Sequence, residues 1–403
     1  NLALEANLAY QNNHRKELAE AVSHGYMPIP PHTLEREFKK DTYTANVIMR
    51  LTMGERHTLT TGINSEYQHN RRAGWGFIIP DFETSSFGVY AFDRFKVTND
   101  LILNAGVRYD HVHTHLHSYN DWFKTPINAT DSVYKERSIN LSRSFNSLTW
   151  SAGVNYAVKQ WILKLNIGKS FRVPIPKELG TDGVNYHIFR YEKGNPDLKP
   201  EESYQMDAGI HWGNDRLSVQ FDPYLNYFPN YIYMNPTPDY YEGLQWYFYT
   251  QSRVIRYGAE LQLNWKILPS LSTELKGEYL YAEQLSGAKK GYTLPFSTPW
   301  SADATIKYDF CREKMGNEGF VAFNLHVTGR QNNIVPPEKQ TPGYYTLNLN
   351  AGKNFNLGNK KLRINLNAEN LLNRKYYDHT SFYRLIDVPE PGRNVALMVG
   401  LDF

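Results

Sequence analysis

Apolar and polar residues alternate along most of this chain with a period of two. In "LILNAGVRY" one face carries Leu101, Leu103, Ala105, Val107 and Tyr109, and the other Ile102, Asn104, Gly106 and Arg108. "YQMDAGIHW" (204–212), "YTLNLNAGKN" (345–354) and "KLRINLNAEN" (361–370) repeat the pattern. A period of two is that of a β-strand, whose successive side chains point to opposite sides. The polar side holds Asn, Gln, Asp, Glu, Lys and Arg nearly throughout, and the apolar side often ends in Tyr or Trp. A soluble sandwich also alternates, but ten-residue segments with an aromatic end are the signature of a membrane-spanning barrel wall. The pattern predicts Leu101, Leu347 and Leu397 on the outer face, and Asn348 and Asn365 on the inner one.

The pattern resolves into about sixteen antiparallel strands, beginning near residues 2, 42, 57, 86, 101, 147, 161, 202, 216, 250, 270, 301, 319, 343, 360 and 392. Short links such as "GER", "TND" and "GND" follow the even-numbered strands. Long links, 118–146, 172–200, 228–249 and 373–391 among them, follow the odd-numbered ones. Short turns at one end and long loops at the other are the arrangement of a bacterial outer-membrane barrel, with the long loops outside the cell. The first strand, "NLALEANLAYQNN", then runs outward. The last, "GRNVALMVGLDF", returns and ends on Phe403.

Composition changes this picture little. Mean hydropathy is −0.58 and no run of 18 apolar residues exists, which excludes a spanning helix but not a wall that needs apolar residues only at alternate positions. The 44 Lys and Arg against 41 Asp and Glu leave a net charge of +3, which gives no reason to expect a nucleic-acid partner. Cys311 is the single cysteine, so there is no internal disulfide and no Cys-rich zinc site. Tyrosine, at 30 copies, is in excess.

Four motifs carry a family resemblance. "NAENLLNRKYYDH" followed by "VPEPGRNVALMVGLDF" resembles the last hairpin of TonB-dependent outer-membrane receptors. "GKSFRVPIPKELG", "GNPDLKPEESYQMDAGI" and "LILNAGVRYD" resemble their middle segment, so the likeness runs from about residue 86 to the end. It implies a barrel of 22 strands around a plug, of which residues 1–403 would be the C-terminal part. Asn1 falls at a strand start, so on this reading the signal peptide, the TonB-contacting box and the plug are expected to lie outside residues 1–403. The resemblance also implies the TonB complex as a partner through that plug. The barrel assembly machinery would read the last strand and Phe403, and outer-membrane lipid would surround the wall. No cofactor is implied. "PEPGRN" is similar to receptors for siderophores, haem and cobalamin more than to glycan importers.

Two segments draw attention as candidate chemistry. "HVHTHLH" sets His111, His113, His115 and His117 on one strand face. They continue the outward row of Leu101 to Tyr109 beyond the ten or so residues that cross the hydrocarbon. The favoured reading is a polar collar at headgroup level; capture of a metal or haem by the imidazoles is the alternative. The tract "LNYFPNYIYMNPTPDYYEGLQWYFY" offers Tyr231, Tyr233, Tyr240, Tyr241 and Trp246, whose flat rings and polar tips suit either packing or ligand capture at a barrel mouth. Loop 172–200 adds Arg172, Lys177, Arg190 and Lys193 beside Tyr186, His187 and Tyr191. Cations among aromatics suit an anionic ferric chelate, so Arg172, Arg190, Tyr191, Tyr231, Tyr233, Tyr240 and Trp246 are the candidate ligand residues.

Enzymatic chemistry finds no motif: nucleophile elbow, phosphate loop and HExxH are all missing. Carboxylates such as Glu260, Glu274, Glu278 and Asp303 fall on inward rows. Two function classes remain. One is a receptor that imports a bulky nutrient, a ferric siderophore foremost and haem or cobalamin next. The other is a passive sixteen-stranded porin, constricted by "YHIFRYEKGNPD". The receptor reading predicts that the far edge of the first strand lacks a partner.

Overall fold

The computed structural model describes residues 1–310, 318–358 and 360–402. It contains strands β1 Leu2–Leu18, β2 Leu34–Met53, β3 His57–Ala73, β4 Phe82–Lys96 and β5 Leu101–Leu116. A small hairpin, β6 Tyr119–Pro126 and β7 Ser132–Ser138, precedes β8 Leu141–Val158 and β9 Trp161–Arg172. A short helix, α1 Pro176–Gly180, and two four-residue strands, β10 Asp182–Asn185 and β11 Arg190–Lys193, lead to β12 Glu201–Gly213. The wall continues through β13 Leu217–Tyr241, β14 Leu244–Leu268, β15 Leu271–Gln284 and β16 Ser301–Phe310. It ends with β17 Gly319–Thr328, β18 Tyr344–Leu357, β19 Lys360–Glu369 and β20 Asn394–Asp402. Leaving aside β6, β7, β10 and β11, sixteen antiparallel strands follow one another around one large sheet. No helix among the described residues is long and apolar enough to cross a membrane.

Register follows the alternation. Leu347 pairs with Leu325, and Leu397 with Leu366, along a row that stays bare although apolar; Leu397 is 65% exposed. Large apolar side chains left out of any core on a continuous surface are what a lipid-facing wall requires. The opposite face is a lattice of polar contacts. Asn348 Nδ2 donates to Asn324 Oδ1 (3.0 Å), and Asn324 Nδ2 donates to Asp303 Oδ1 (3.2 Å). Asn365 lies on this same side, next to Gly352, its cross-strand partner.

The amphipathic pattern inverts toward the long-loop end, and β5 displays the inversion on a single strand. Below Asp110 the even-numbered row is polar, with Asn104 and Arg108, and the odd-numbered row is apolar. Above it the even row becomes Val112, Thr114 and Leu116, all buried, with Leu116 at 0% exposure. The odd row becomes the four histidines. Outside the hydrocarbon the outer face meets water, while the inner face meets the loops folded over the mouth. Leu116 therefore packs with Phe82, Phe145, Leu179, Leu198 and Ile232, two of which come from loop 173–200.

The long connections are themselves folded, which corrects the expected boundaries. The expected loop 228–249 is instead the far half of two 25-residue strands, β13 and β14, closed by Glu242 and Gly243. Its Tyr, Ile and Phe residues favour the pleated surface, and one extra residue between Phe228 and Tyr231 bulges β13. Strands two, six and ten accordingly begin earlier than expected, at Leu34, Leu141 and Leu244. The 118–146 link holds β6 and β7.

Among the described residues β1 pairs only with β2 and β20 only with β19, so the sixteen strands do not close on themselves. A complete sixteen-stranded porin needs that closure, and this reading is therefore discarded.

Candidate functional site

The loop after β9 turns back over the mouth and adds a strand to the β13–β14 hairpin. β11 runs parallel to the outer end of β14, setting Arg190 against Gln245, Tyr191 against Trp246 and Lys193 against Phe248. Tyr191 is 1% exposed. Its ring stacks on Trp246 (5.4 Å between centroids, 23° between planes) and lies 4.6 Å from Tyr241. The Trp246 indole nitrogen is buried and donates to no acceptor among the described residues.

Charge surrounds this stack. Lys135 Nζ and Arg137 Nη1, both from β7, donate to the Tyr191 hydroxyl at 2.7 and 3.1 Å, and the hydroxyl donates in turn to Asp182. Lys135 also lies 5.1 Å from the Tyr191 and Tyr241 rings, within cation–π reach. Burial and then the Asp182 carboxylate push the Tyr191 phenol far above its ordinary value, so it stays neutral. Burial pulls the Lys135 ammonium below its ordinary value. Arg137 is itself held by Asp121 at 2.7 Å.

Arg190 is nearly buried, paired with Glu192 (2.8 Å) and placed over the rings of Tyr247 and Phe382 at 5.1 and 4.8 Å. A cavity beside the stack is lined by Arg36, Trp75, Phe77, Phe123, Arg137 and Tyr241 among others. Chemically, the assembly combines aromatic rings with the cations Lys135, Arg137 and Arg190, each paired with a carboxylate (Asp182, Asp121 and Glu192), beside a cavity.

The remaining sequence candidates lie elsewhere. Arg172 spans Glu178 (2.8 Å) and Glu201 (3.3 Å), tying the end of β9 to the loop that follows. Tyr231 and Tyr233 pack at a second apolar cluster with Phe228, Val254, Ala282 and Leu294, and burial pushes the Tyr233 phenol up to about 12. Tyr240 stands near the hairpin tip, 65% exposed. Thus Arg190, Tyr191 and Trp246 come together, Tyr240 stands above them, and Arg172, Tyr231 and Tyr233 form separate contacts.

His111, His113 and His115 each bond a cross-strand partner on β8: Asn146 at 2.7 Å, Ser144 at 2.8 Å and Ser142 at 2.7 Å. His117 meets the His115 ring edge-on. Phe403 lies outside the described residues.

Sequence reasoning overlooked Lys135, Arg137, Asp121 and Asp182. The one local signal is the alternation in "SVYKERS", which places Lys135 and Arg137 on the same face of a strand. Nothing local says that this face meets Tyr191, 54 residues further on from Arg137.

An antiparallel wall with a bare apolar outer face, a polar inner face and aromatic-lined loops over one mouth defines an outer-membrane β-barrel. Residues 1–371 match the family model described as TonB dependent receptor-like, beta-barrel, and the chain belongs to that family. The family is one of outer-membrane receptors rather than enzymes. The catecholate siderophore receptor Fiu of Escherichia coli strain K12 is 26% identical over 141 residues, which span 32% of this chain and 18% of Fiu. Among solved structures, the copper transporter OprC superposes with a TM-score of 0.75 at 15% identity, covering 99% of this chain and 62% of OprC. The ferric yersiniabactin uptake receptor FyuA from Yersinia pestis gives 0.66 at 11% identity, covering 99% of this chain and 58% of FyuA. The likeness to these two concerns the fold. The chain spans less than two thirds of the length of each of these relatives.

Proposed function

We propose that this chain is the C-terminal barrel portion of a receptor for TonB-dependent uptake of a bulky anionic metal chelate. A ferric siderophore of the catecholate class comes first, with haem or cobalamin next. In this reading further strands complete a 22-stranded wall, and a plug inside it couples to the TonB complex. The barrel assembly machinery would engage the last strand, including Phe403, and outer-membrane lipid would bathe the apolar face.

The observation that carries the reading is the Tyr191–Trp246–Tyr241 stack with Lys135 and Arg137 beside it, at the mouth of a barrel of this family. Catecholates present flat rings and negative charge, the two features such a site complements. The stretch of likeness to a catecholate siderophore receptor supports the same chelate class.

The test is uptake of radiolabelled ferric catecholate by cells carrying the intact receptor. Uptake should cease when TonB is deleted; uptake that persists without TonB refutes the reading. In the same receptor, replacing Arg190 and Trp246 together with Ala should weaken chelate binding by at least tenfold, equivalent to about 1.4 kcal/mol, with barrel assembly retained. Replacing all four of His111, His113, His115 and His117 with Asn should change binding less than twofold. The reverse pattern would place the ligand on the collar.

A further inference from the structure

We propose that Glu17, Glu35 and His187 form a binding site for one divalent first-row transition ion, with Zn²⁺ as its representative. The three residues come from the outer end of β1, the start of β2 and the short 3₁₀ element Tyr186–Ile188. One ligand atom from each lies within 4.8 Å of the others. His187 Nε2 is 3.5 Å from Glu17 Oε2 and 3.7 Å from Glu35 Oε2. Ligands bound at about 2.0–2.2 Å around a tetrahedral ion sit roughly 3.4 Å apart; the imidazole already stands near that separation from both carboxylates, and the two carboxylate oxygens lie within 4.8 Å of each other.

Two carboxylates meet at the imidazole with one buried cation beside them. Glu35 is 2% exposed; its Oε1 is the oxygen that Arg36 meets, and its Oε2 faces His187. Buried carboxylates pair with charge or coordinate metals. The charge already present is Arg36, whose Nη2 lies 2.8 Å from Glu35 Oε1 and whose Nη1 donates to Glu17 Oε2 at 3.0 Å. Arg15 also pairs with Glu17. Arg36 contacts Oε1 of Glu35 and leaves its Oε2 toward the imidazole, whereas Glu17 Oε2 accepts from Arg36 Nη1 and would ligate an ion through its other lone pair.

The carriers are fixed in place. Arg36 Nη2 donates to the Val184 carbonyl at 3.0 Å, holding the 173–200 loop on β2, and the Glu35 carbonyl accepts from the Gly76 amide at 2.7 Å. His187, 58% exposed at its side chain, leaves the site open to solvent on one side for entry and for completing water ligands. One imidazole with two carboxylates suits zinc and its neighbours, whereas calcium and magnesium favour oxygen alone. A bound ion would pin β1, β2 and the loop that carries Tyr191 to one another. The site involves none of the candidate chelate residues, so it stands whatever nutrient the receptor imports.

The measurement is isothermal titration of the intact receptor in detergent with Zn²⁺ alone at pH 7.5. One equivalent should bind to the wild type. His187→Ala and Glu17→Gln should each weaken it at least about 100-fold, the most that loss of a group merely supporting a ligand costs, with heat-modifiable mobility showing that each variant is folded. The exposed position of His187 makes that variant the safer of the two. Replacing the four collar histidines with Asn should leave this equivalent unchanged. The proposal is overturned if the wild type binds no zinc. It is equally overturned if His187→Ala and Glu17→Gln keep wild-type affinity, or if the collar variant loses the equivalent that His187→Ala retains.

Discussion

His379 shows how a single side chain reports its surroundings. It lies in the connection between β19 and β20 at 2% exposure, with Nδ1 bonded to Thr341 Oγ1 (3.0 Å) and its carbonyl accepting from Arg384 Nε (2.6 Å). Burial first and Arg384 second, against the opposing pull of Asp378, lower the imidazole to about 4 from an ordinary 6.5. Above pH 6.5 the ring is neutral whether the loop is closed or open, and its contribution is complete. Between 6.5 and 4 the open state takes up a proton that the closed state refuses, so stability falls with pH and levels off below 4. The shift corresponds to roughly 3 kcal/mol. Protection factors across 376–386, which divide out the intrinsic slowing of amide exchange in acid, should fall as pH drops from 7 to 4.5, and His379→Gln should flatten that dependence. Protection factors that stay constant with pH in the wild type would show the ring to be accessible when closed. The sequence offers no hint of this, since a lone histidine in "YYDHTSF" reads as an ordinary loop residue.

The β13–β14 hairpin carries the argument to the scale of elements. Its tip is the pair Glu242 and Gly243, with φ of 50° and 81°. Two left-handed residues in succession are what a tight two-residue hairpin turn with the twist of its strands requires. A Cβ at Gly243 would meet nothing within 4 Å, so any penalty there is purely one of backbone conformation. Gly243→Val should cost about 1–3 kcal/mol locally, seen as faster amide exchange over 240–246, while Gly243→Asn should cost much less because Asn tolerates this region. Equal exchange in the two variants would mean that the turn is not held left-handed. "EGL" between aromatic runs was a legible turn signal. The length of the link points to a loop, but its Tyr, Ile and Phe residues favour strand, and they extend the hairpin to this turn.

At the scale of the molecule, the alternation of short and long connections sets orientation. The links after β2, β4 and every second wall strand thereafter run to eight residues at most, and the connections at the opposite end are mostly longer, the Glu242–Gly243 turn apart. In intact cells, with Cys311→Ser as background, Asp239→Cys near the hairpin tip should react with a membrane-impermeant thiol reagent. Asp215→Cys, in the short link between β12 and β13, should react only after the outer membrane is permeabilised. Labelling with the opposite preference would invert the orientation.

The sequence by itself determined the wall: sixteen strands, their order, which face is apolar and which end bears the loops. These follow from local rules, because alternation fixes each side chain's face and link length fixes which strands are neighbours. It also explained "HVHTHLH" as a row continuing past the membrane, though the inner partners Val112, Thr114 and Leu116 acquire meaning only when loop 173–200 packs on them. The mouth was decided by tertiary structure. Tyr191 meets Trp246, Lys135 and Arg137 because a loop folds back to add a strand beside β14, and Glu17 and Glu35 meet His187 because the same loop lands on β2. Such contacts join residues separated by dozens to more than a hundred positions. They obey no period, and only the closing of the chain over the barrel brings them together.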